Sequence, residues 1–329
     1  MIPVYMAPLQ GFTEKSFRQV YRRHFTGVRR YYSPFIVTVR SHKINNSILN
    51  DILFNGEIDN DLVPQILTNN AADFLRLAER INSFGYKFIN LNFGCPYKMA
   101  VSKKRGAGIL NQPEMVDNLL SVAVKQCRIS VKIRIGNNSV SEMEEIIPIL
   151  NKHNLEEVII HPRLAKDMYS KPVDLAVMDK LISRIKSPVI YNGDIFSYNQ
   201  YLHIKERYPD IKGVMLGRGL LINPFLPEEI EADRIIAPVI KRKRFKIFFD
   251  DLLEAFSDRY AGEKQIIDKL KGYWIYWGIN THSSRDLYKK IIRSSTIGEF
   301  KAYSYSMLNS DDFMFYIPPF AFETTIFTK

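Results

Sequence analysis

The sequence predicts an α/β fold: an eight-stranded parallel β/α (TIM) barrel over residues 1–234, followed by a small all-helical C-terminal domain over residues 235–329. Three observations predict it. Short apolar runs alternate with longer helix-period segments as far as about Leu226, the polar residues that interrupt those runs gather at their carboxyl ends, and strand-length runs cease after Pro227.

The runs are Val4 to Ala7, Val28 to Val37, Val63 to Leu67, Phe88 to Asn92, Ser130 to Ile135, Val158 to His161, Val189 to Asn192 and Gly213 to Leu216. Between them lie helix-like stretches such as Ala71 to Phe84, Pro113 to Gln126, Ser141 to His153, Val173 to Ile185 and Tyr198 to Tyr208. Strand and helix in alternation imply parallel strands joined by crossover helices. Eight such units suit a barrel fold of roughly 250 residues. A doubly wound open sheet is the alternative, because a count of strands does not show closure. No helix is predicted between Arg40 and Asp61.

Beyond residue 235 the spacing changes to that of helices. Phe245, Phe248, Phe249, Leu252, Leu253 and Phe256 form one apolar stripe, and Ile266, Ile267, Leu270, Tyr273, Trp274 and Trp277 form another. Between Lys241 and Lys301 there are 14 basic and 8 acidic residues, so this part is basic on its own. The aromatic, proline-containing tail after Asp311 carries no clear periodicity.

A net charge of +11 favours an anionic partner such as nucleic acid. Two cysteines, Cys95 and Cys127, are too few for a disulfide framework or a four-cysteine zinc site, so the chain reads as cytoplasmic and reduced, without a metal. No apolar run approaches the ~20 residues of a membrane span, and the N-terminus shows no signal-peptide pattern.

Strands of a parallel barrel are covered on both faces, so a charge or amide within one needs a reason. In Val131-Lys132-Ile133-Arg134, period-two alternation puts Lys132 and Arg134 on one face, where an ammonium suits an anion or an electron-rich ring. Gln65 and Asn92 interrupt the third and fourth runs, and His161 ends the sixth. Asn192-Gly193-Asp194 and Gly217-Arg218-Gly219 follow the seventh and eighth, where this fold commonly binds a phosphate through glycine-exposed backbone and an arginine. Residue chemistry alone leaves the ligand open between a phosphorylated cofactor such as FMN and a phosphorylated sugar. At the exit of the fourth run stands Cys95-Pro96, followed by a cationic loop of Lys98, Lys103, Lys104 and Arg105 and by the glycines Gly106 and Gly108.

These motifs resemble those of the flavin-dependent tRNA-dihydrouridine synthases. The resemblance rests on Met6-Ala7-Pro8-Leu9-Gln10-Gly11, Pro64-Gln65-Ile66, Asn90-Leu91-Asn92-Phe93-Gly94-Cys95-Pro96, Gly106-Ala107-Gly108, Val131-Lys132-Ile133-Arg134, His161-Pro162-Arg163, Asn192-Gly193-Asp194 and Gly217-Arg218-Gly219, in the family's order. It extends to about Leu226 and, more loosely, to Lys269 through Trp277. It implies tightly bound FMN across the barrel mouth, reduced by NADPH, a tRNA D-loop uridine as substrate, and no membrane or obligate protein partner. Carried onto this chain, it sets Pro8, Leu9 and Gln10 along the flavin, Gln65 at the ring edge, Lys132 near its electron-accepting end, and His161 and Asn92 close by. Asn192, Gly193, Asp194, Gly217 and Arg218 would cradle the phosphate, and Cys95 would donate a proton. Two positions depart from the pattern: Leu9-Gln10 replace the common methionine and small or acidic residue, and Leu164 stands where threonine is usual. Lys166-Asp167-Met168-Tyr169 looks most like the subgroup acting on D-loop position sixteen.

Reduction of the uracil C5=C6 bond needs a hydride at C6 and a proton at C5. A free thiol, with a pKa near ~8.5, is mostly protonated at neutral pH and suits the second task. Asn92 or Arg134 would stabilise charge developing on the uracil carbonyls. Lys98, Lys103, Lys104, Arg105, Arg163, Lys269 and Lys271 are candidate contacts to the RNA backbone, whose grip offsets the few kcal/mol spent in unstacking the target base. Cys127, late in a helix, reads as core filler. Two other readings remain at this point: an FMN-dependent barrel reductase of a small molecule such as a pyrimidine or enoate, and a non-enzymatic RNA-binding protein on a degenerate barrel.

Overall fold

The structure is a computed structural model that describes residues 2–38, 49–54, 57–280, 284–310, 313 and 315. Its centre is a curved parallel β/α sheet of ten strands. In chain order these are β1 (Val4–Met6), β2 (Val28–Tyr32), β3 (Ile36–Val37), then, after a two-stranded antiparallel hairpin of β4 (Leu53–Phe54) and β5 (Glu57–Ile58), β6 (Leu62–Val63), β7 (Gln65–Leu67), β8 (Phe88–Phe93), β9 (Arg128–Arg134), β10 (Glu157–His161), β11 (Val189–Asn192) and β12 (Gly213–Leu216). The spatial order is β3-β7-β8-β9-β10-β11-β12-β1-β2-β6, so the last strand of the sheet lies beside the first.

Ten segments stand where eight strands were predicted, and proline accounts for the difference. Pro34 lies between β2 and β3, and Pro64 between β6 and β7. A proline has no N–H to give to a ladder, so the hydrogen bonding breaks there. The two broken strands still run side by side, with β2 on β6 and β3 on β7. The hairpin occupies part of the stretch read as irregular between Arg40 and Asp61; residues 40–48, 55 and 56 of that stretch, and most of the tail after Asp311, lie outside the described residues.

The crossover helices are α1 (Lys15–His24), α2 (Ala71–Ser83), the short α3 (Lys98–Val101), α4 (Pro113–Gln126), α5 (Met143–Lys152), α6 (Leu175–Ile182) and α7 (Tyr198–Arg207), with α8 (Arg218–Ile222) and α9 (Leu226–Ala232) after β12. Several begin at side-chain caps that the sequence supplies. Asn70, Asp174 and Ser197 accept from the backbone N–H groups of Asp73, Val177 and Gln200, relieving donors that have no partner within the helix. Asp174 is the reason that α6 starts at Leu175 and not at Val173.

The outward faces of the strands and the helices make one continuous core. A second apolar cluster of Tyr5, Ala7, Tyr32, Val63, Ile159, Ile190 and Met215 fills the inner face of the sheet. Below it, at the amino end of β10, Glu157 is fully buried and paired with Arg30 at 2.9 Å and Lys212 at 3.0 Å, and it also accepts from the Tyr32 hydroxyl. A buried carboxylate needs such partners to be tolerated. The carboxyl ends of the strands, at the other end, are left for chemistry.

Only helices follow among the described residues beyond Ala232: α10 (Pro238–Arg259), α11 (Glu263–Trp277), α12 (Arg285–Arg293) and α13 (Ile297–Asn309), with a 3-10 turn at Gly278–Asn280. Their predicted stripes are buried, and Phe245, Phe248, Phe249, Trp274 and Trp277 pack with edge-to-face contacts. Phe248 also meets Phe17 and Phe25 of the first helical unit. A buried ion pair of Lys241 with Glu229, 2.6 Å long and shared with Asn223, joins α10 to α9. No described helix is long and apolar enough to cross a membrane.

Candidate active site

Cys95 stands in the loop after β8, and its backbone is held from two sides. Gln65 is in register with Asn90, and Asn90 with Ser130, so the parallel pairing turns these polar side chains onto one face. They form an amide ladder: Asn90 Nδ2 donates to Ser130 Oγ (2.8 Å), Gln65 Nε2 to Asn90 Oδ1 (2.6 Å), and Asn92 Nδ2 to Gln65 Oε1 (2.7 Å). Its last member closes on the loop, where Asn92 Oδ1 accepts from the backbone N–H groups of Gly94 (3.0 Å) and Cys95 (2.8 Å). From behind, the N–H of Ala107 donates to the Cys95 carbonyl at 3.0 Å. Gly106, at φ +57°, lies so close that a Cβ there would sit 2.6 Å from the Cys95 oxygen and 2.7 Å from its Cβ. The Gly-Ala-Gly motif is thus a backbone brace for the cysteine loop.

The Cys95 thiol is buried, and burial raises its pKa above the ordinary value even though a backbone N–H from Tyr97 and the charges of Arg134 and Lys132 pull the other way. A thiol so placed is held as an acid, not as a thiolate nucleophile. Cys127, the C-cap of α4, lines neither of the two cavities described next, and burial pushes its thiol up to about 12.

Cys95 opens onto a cavity of about 320 Å³ at the carboxyl ends of the strands. Pro8, Leu9 and Gln10 line it from the loop after β1, Asn92 from β8, Lys132 and Arg134 from β9, His161 from β10, and Arg218 from α8. A smaller pocket of about 80 Å³ adjoins it, walled by Asn192, Gly193, Asp194, Gly217, Arg218 and Gly219. The two share Pro8, Leu9, Lys132, His161, Tyr169 and Arg218. Gly219 lets the start of α8 lie against the loop after β11, since a Cβ there would meet the Ile195 carbonyl oxygen at 1.9 Å.

Of the residues expected around a cofactor, all but Gln65 line one cavity or the other. Gln65 is fully buried one layer back, where its amide holds Asn92.

The site is strongly cationic. Lys132 lies deep enough that lost solvation, with Arg134 beside it, lowers its ammonium to about 7. Burial, and then the charges of Arg134, Lys132, Arg163 and Arg218, hold His161 well below the usual imidazole range, so it is neutral. Arg163 and Arg218 share Asp194 at 2.6 and 2.8 Å, and Arg134 donates to the carbonyls of Leu164 (2.9 Å) and Met168 (2.8 Å). Those bonds hold the loop that carries Tyr169, whose ring lies under the guanidinium groups of Arg218 (4.4 Å), Arg134 (5.2 Å) and Arg163 (5.5 Å). One carboxylate among these cations leaves a donor set suited to an anionic group, and the pocket beside it has glycine walls.

The residues expected to touch RNA divide into three groups. Lys98 at the start of α3 and Lys103 and Lys104 just beyond it are exposed, while Arg105 is half-buried with its Nε 3.4 Å from Asn69 Oδ1. Arg134 and Arg163 are buried inside the site. Lys269 bonds to the Gly11 carbonyl (2.6 Å) and Glu14 (2.7 Å), and Lys271 to the Ser294 carbonyl (2.6 Å), so both work as ties for α11.

Phe12, Phe35, Tyr97, Tyr169 and Tyr276 also line the main cavity, and sequence reasoning gave none of them a role. Tyr169 had a signal, as the last residue of the quoted Lys-Asp-Met-Tyr run. Tyr276 lies off the Trp274 and Trp277 stripe of α11 and meets Phe12 edge-to-face at 5.1 Å, so the C-terminal helices reach the cavity itself.

Residues 5–296 match the model of a family described as dihydrouridine synthase. The chain is 30% identical over 233 residues to a Saccharomyces cerevisiae tRNA-dihydrouridine(20a/20b) synthase, a match that spans 68% of this chain and 62% of that protein. A probable tRNA-dihydrouridine synthase of Aquifex aeolicus matches at 24% over 90% of this chain and 93% of its own length. With a tRNA-dihydrouridine(16) synthase of Haemophilus ducreyi the identity is 31% over 51% of each.

Proposed function

Because the chain belongs to the dihydrouridine synthase family, we propose that it is a flavin-dependent tRNA-dihydrouridine synthase, reducing the C5=C6 bond of a D-loop uridine with NADPH as the source of electrons. The observation that carries this reading is that one cavity joins the buried, protonated thiol of Cys95 to Lys132, His161 and the glycine-walled cationic pocket. The same arrangement fits FMN. Its phosphate suits the pocket of Asn192, Gly193, Asp194, Gly217 and Arg218, and its ring suits the larger cavity over Pro8, Leu9 and Gln10. Lys132 and the neutral His161 are then donors to the ring's polar edge.

When bound, the flavin supplies the hydride that uracil C6 accepts. Cys95 gives its Sγ proton to C5 from the other side of the base. The thiolate left behind lies in the field of Arg134 and Lys132, both of which favour its charge. Asn92 keeps the loop in place through the Cys95 N–H, so that the sulfur meets C5 at a fixed position. Tyr169 and Arg134 line the same cavity and would stabilise negative charge as it spreads onto the uracil carbonyls.

In this reading residues 1–234 are an eight-stranded TIM barrel, counting β2 with β3 and β6 with β7, and residues 235–329 are a helical tRNA-binding domain. The basic balance of the C-terminal helices and the exposed Lys98, Lys103 and Lys104 support a polyanionic substrate, and the proposed place of action is the cytoplasm. Two measurements test the reading in its natural setting: heat-denatured protein should release FMN, and tRNA from cells lacking the chain should lose dihydrouridine at one D-loop position. Release of no flavin, or an unchanged dihydrouridine map, would count against it.

A further inference from the structure

Two of the most exposed large apolar side chains in the structure, Tyr97 at 57% and Met99 at 76%, stand two residues apart just after the cysteine loop. Tyr97 lines the cavity onto which Cys95 opens; it follows Pro96 and directly precedes α3. Its main chain is fixed while its ring is not covered. The Tyr97 carbonyl accepts from the N–H groups of Ala100 (2.8 Å) and Val101 (3.0 Å). The following loop is tied down as well, with Asn69 Nδ2 on the Lys103 carbonyl at 2.9 Å.

The same segment carries the exposed Lys98, Lys103 and Lys104. No ion pair to a carboxylate engages any of the three among the described residues, and Lys104 touches only the neutral Gln112, at 3.1 Å. An exposed aromatic ring and a thioether, carried on a tied-down backbone segment that also bears unneutralised cations, are poor at folding the chain and well made for one ligand. Bases stack on exposed aromatics while their phosphates pair with lysines, in single-stranded nucleic acid above all. A base drawn out of its stack leaves a gap beside its neighbour, whose face is then open.

We propose that Tyr97, assisted by Met99, is the platform on which the base next to the target uridine stacks when the target enters the cavity, with Lys98, Lys103 and Lys104 holding the adjoining phosphates. The inference rests on the tRNA-reducing role proposed above. Tyr97 then sets affinity and register, and Cys95 performs the proton transfer.

The test uses the full-length flavoprotein and unmodified tRNA transcripts. Tyr97→Ala should raise KM for tRNA by about 5- to 150-fold, the range that loss of one base-aromatic stack produces, with kcat at saturating tRNA within about twofold. Tyr97→Phe, which keeps the ring, should match the native protein. Transcripts abasic at one or other position flanking the target should weaken the native protein by the same factor at one flank, and should weaken Tyr97→Ala no further there. Direct tRNA binding, followed by fluorescence anisotropy, reads the same effects without turnover. If the native protein binds tRNA with this dependence on Tyr97 but forms no dihydrouridine, the enzymatic reading fails and the platform stands. Unchanged KM and binding in Tyr97→Ala would overturn the platform, as would additive losses from the alanine and the abasic flank, or a fall in kcat alone, which would make Tyr97 a brace for Cys95.

Discussion

Cys95→Ala is expected to keep its fold and its yellow colour, to bind tRNA as the native protein does, and to lose dihydrouridine formation by about a hundredfold to ten-thousandfold, the share a positioned general acid contributes. The substitution removes one sulfur from a small apolar cluster with Leu67 and Ala100, and alanine fits there. It leaves the amide ladder intact, because Asn92 grips the backbone N–H of residue 95 and not its side chain. The loss therefore reports on the proton. A pH profile adds an independent check. Burial holds the Cys95 pKa above its ordinary value, and the acid works only while protonated, so kcat should fall as pH rises through that raised pKa. The residual activity of Cys95→Ala should lack that alkaline limb. Full activity in the variant would remove Cys95 from the mechanism. Cys127→Ala serves as the control and should behave as the native protein.

Asp194→Ala is expected to damage both stability and cofactor retention. The Asp194 carboxylate accepts from Arg163 and Arg218 and also from the backbone N–H of Val173 at 3.1 Å, and it does so from a turn with φ +28° after Gly193. Arg163 and Arg218 are almost fully buried. Taking away their shared anion costs about 3–5 kcal/mol, the penalty for breaking a buried ion pair from one side. It also unseats Arg218, which walls both cavities. The purified variant should therefore have a lower Tm and little bound flavin. Asp194→Asn keeps the shape and an acceptor, and should fall between the two. Native Tm together with native flavin content in Asp194→Ala would show that the two arginines need no shared carboxylate.

Much of the inner architecture was legible because parallel strands impose period-two alternation. Lys132 and Arg134 had to share a face, and they do, together with Asn92 and His161. Strand interruptions were harder, since Pro34 and Pro64 divide ladders without changing the apolar pattern that marks a strand. Gln65 shows the limit of assigning a role from a strand-end polar residue. Its type and position pointed to a ligand contact, and in the structure its side chain bonds Asn90 and Asn92, a detail set by the register between β7 and β8. Lys269 and Lys271 make the same point for charge: a basic residue near an apolar stripe is equally suited to cap a carbonyl of a neighbouring element. Tyr276 was out of reach because which face of α11 meets the loop after β1 depends on the packing of Phe12 against Tyr273 and Tyr276. That packing places a residue of the C-terminal helices at the cavity, and it gives those helices a part in shaping the site.

The most direct test of the account is a single reaction. Purified flavoprotein, NADPH and an unmodified tRNA transcript are incubated, and the nucleosides are resolved by mass spectrometry after digestion. The account predicts that one D-loop uridine gains the mass of two hydrogens, in the native protein and not in Cys95→Ala. A transcript left at its starting mass, although the flavin is reduced by NADPH and the tRNA is bound, would contradict it.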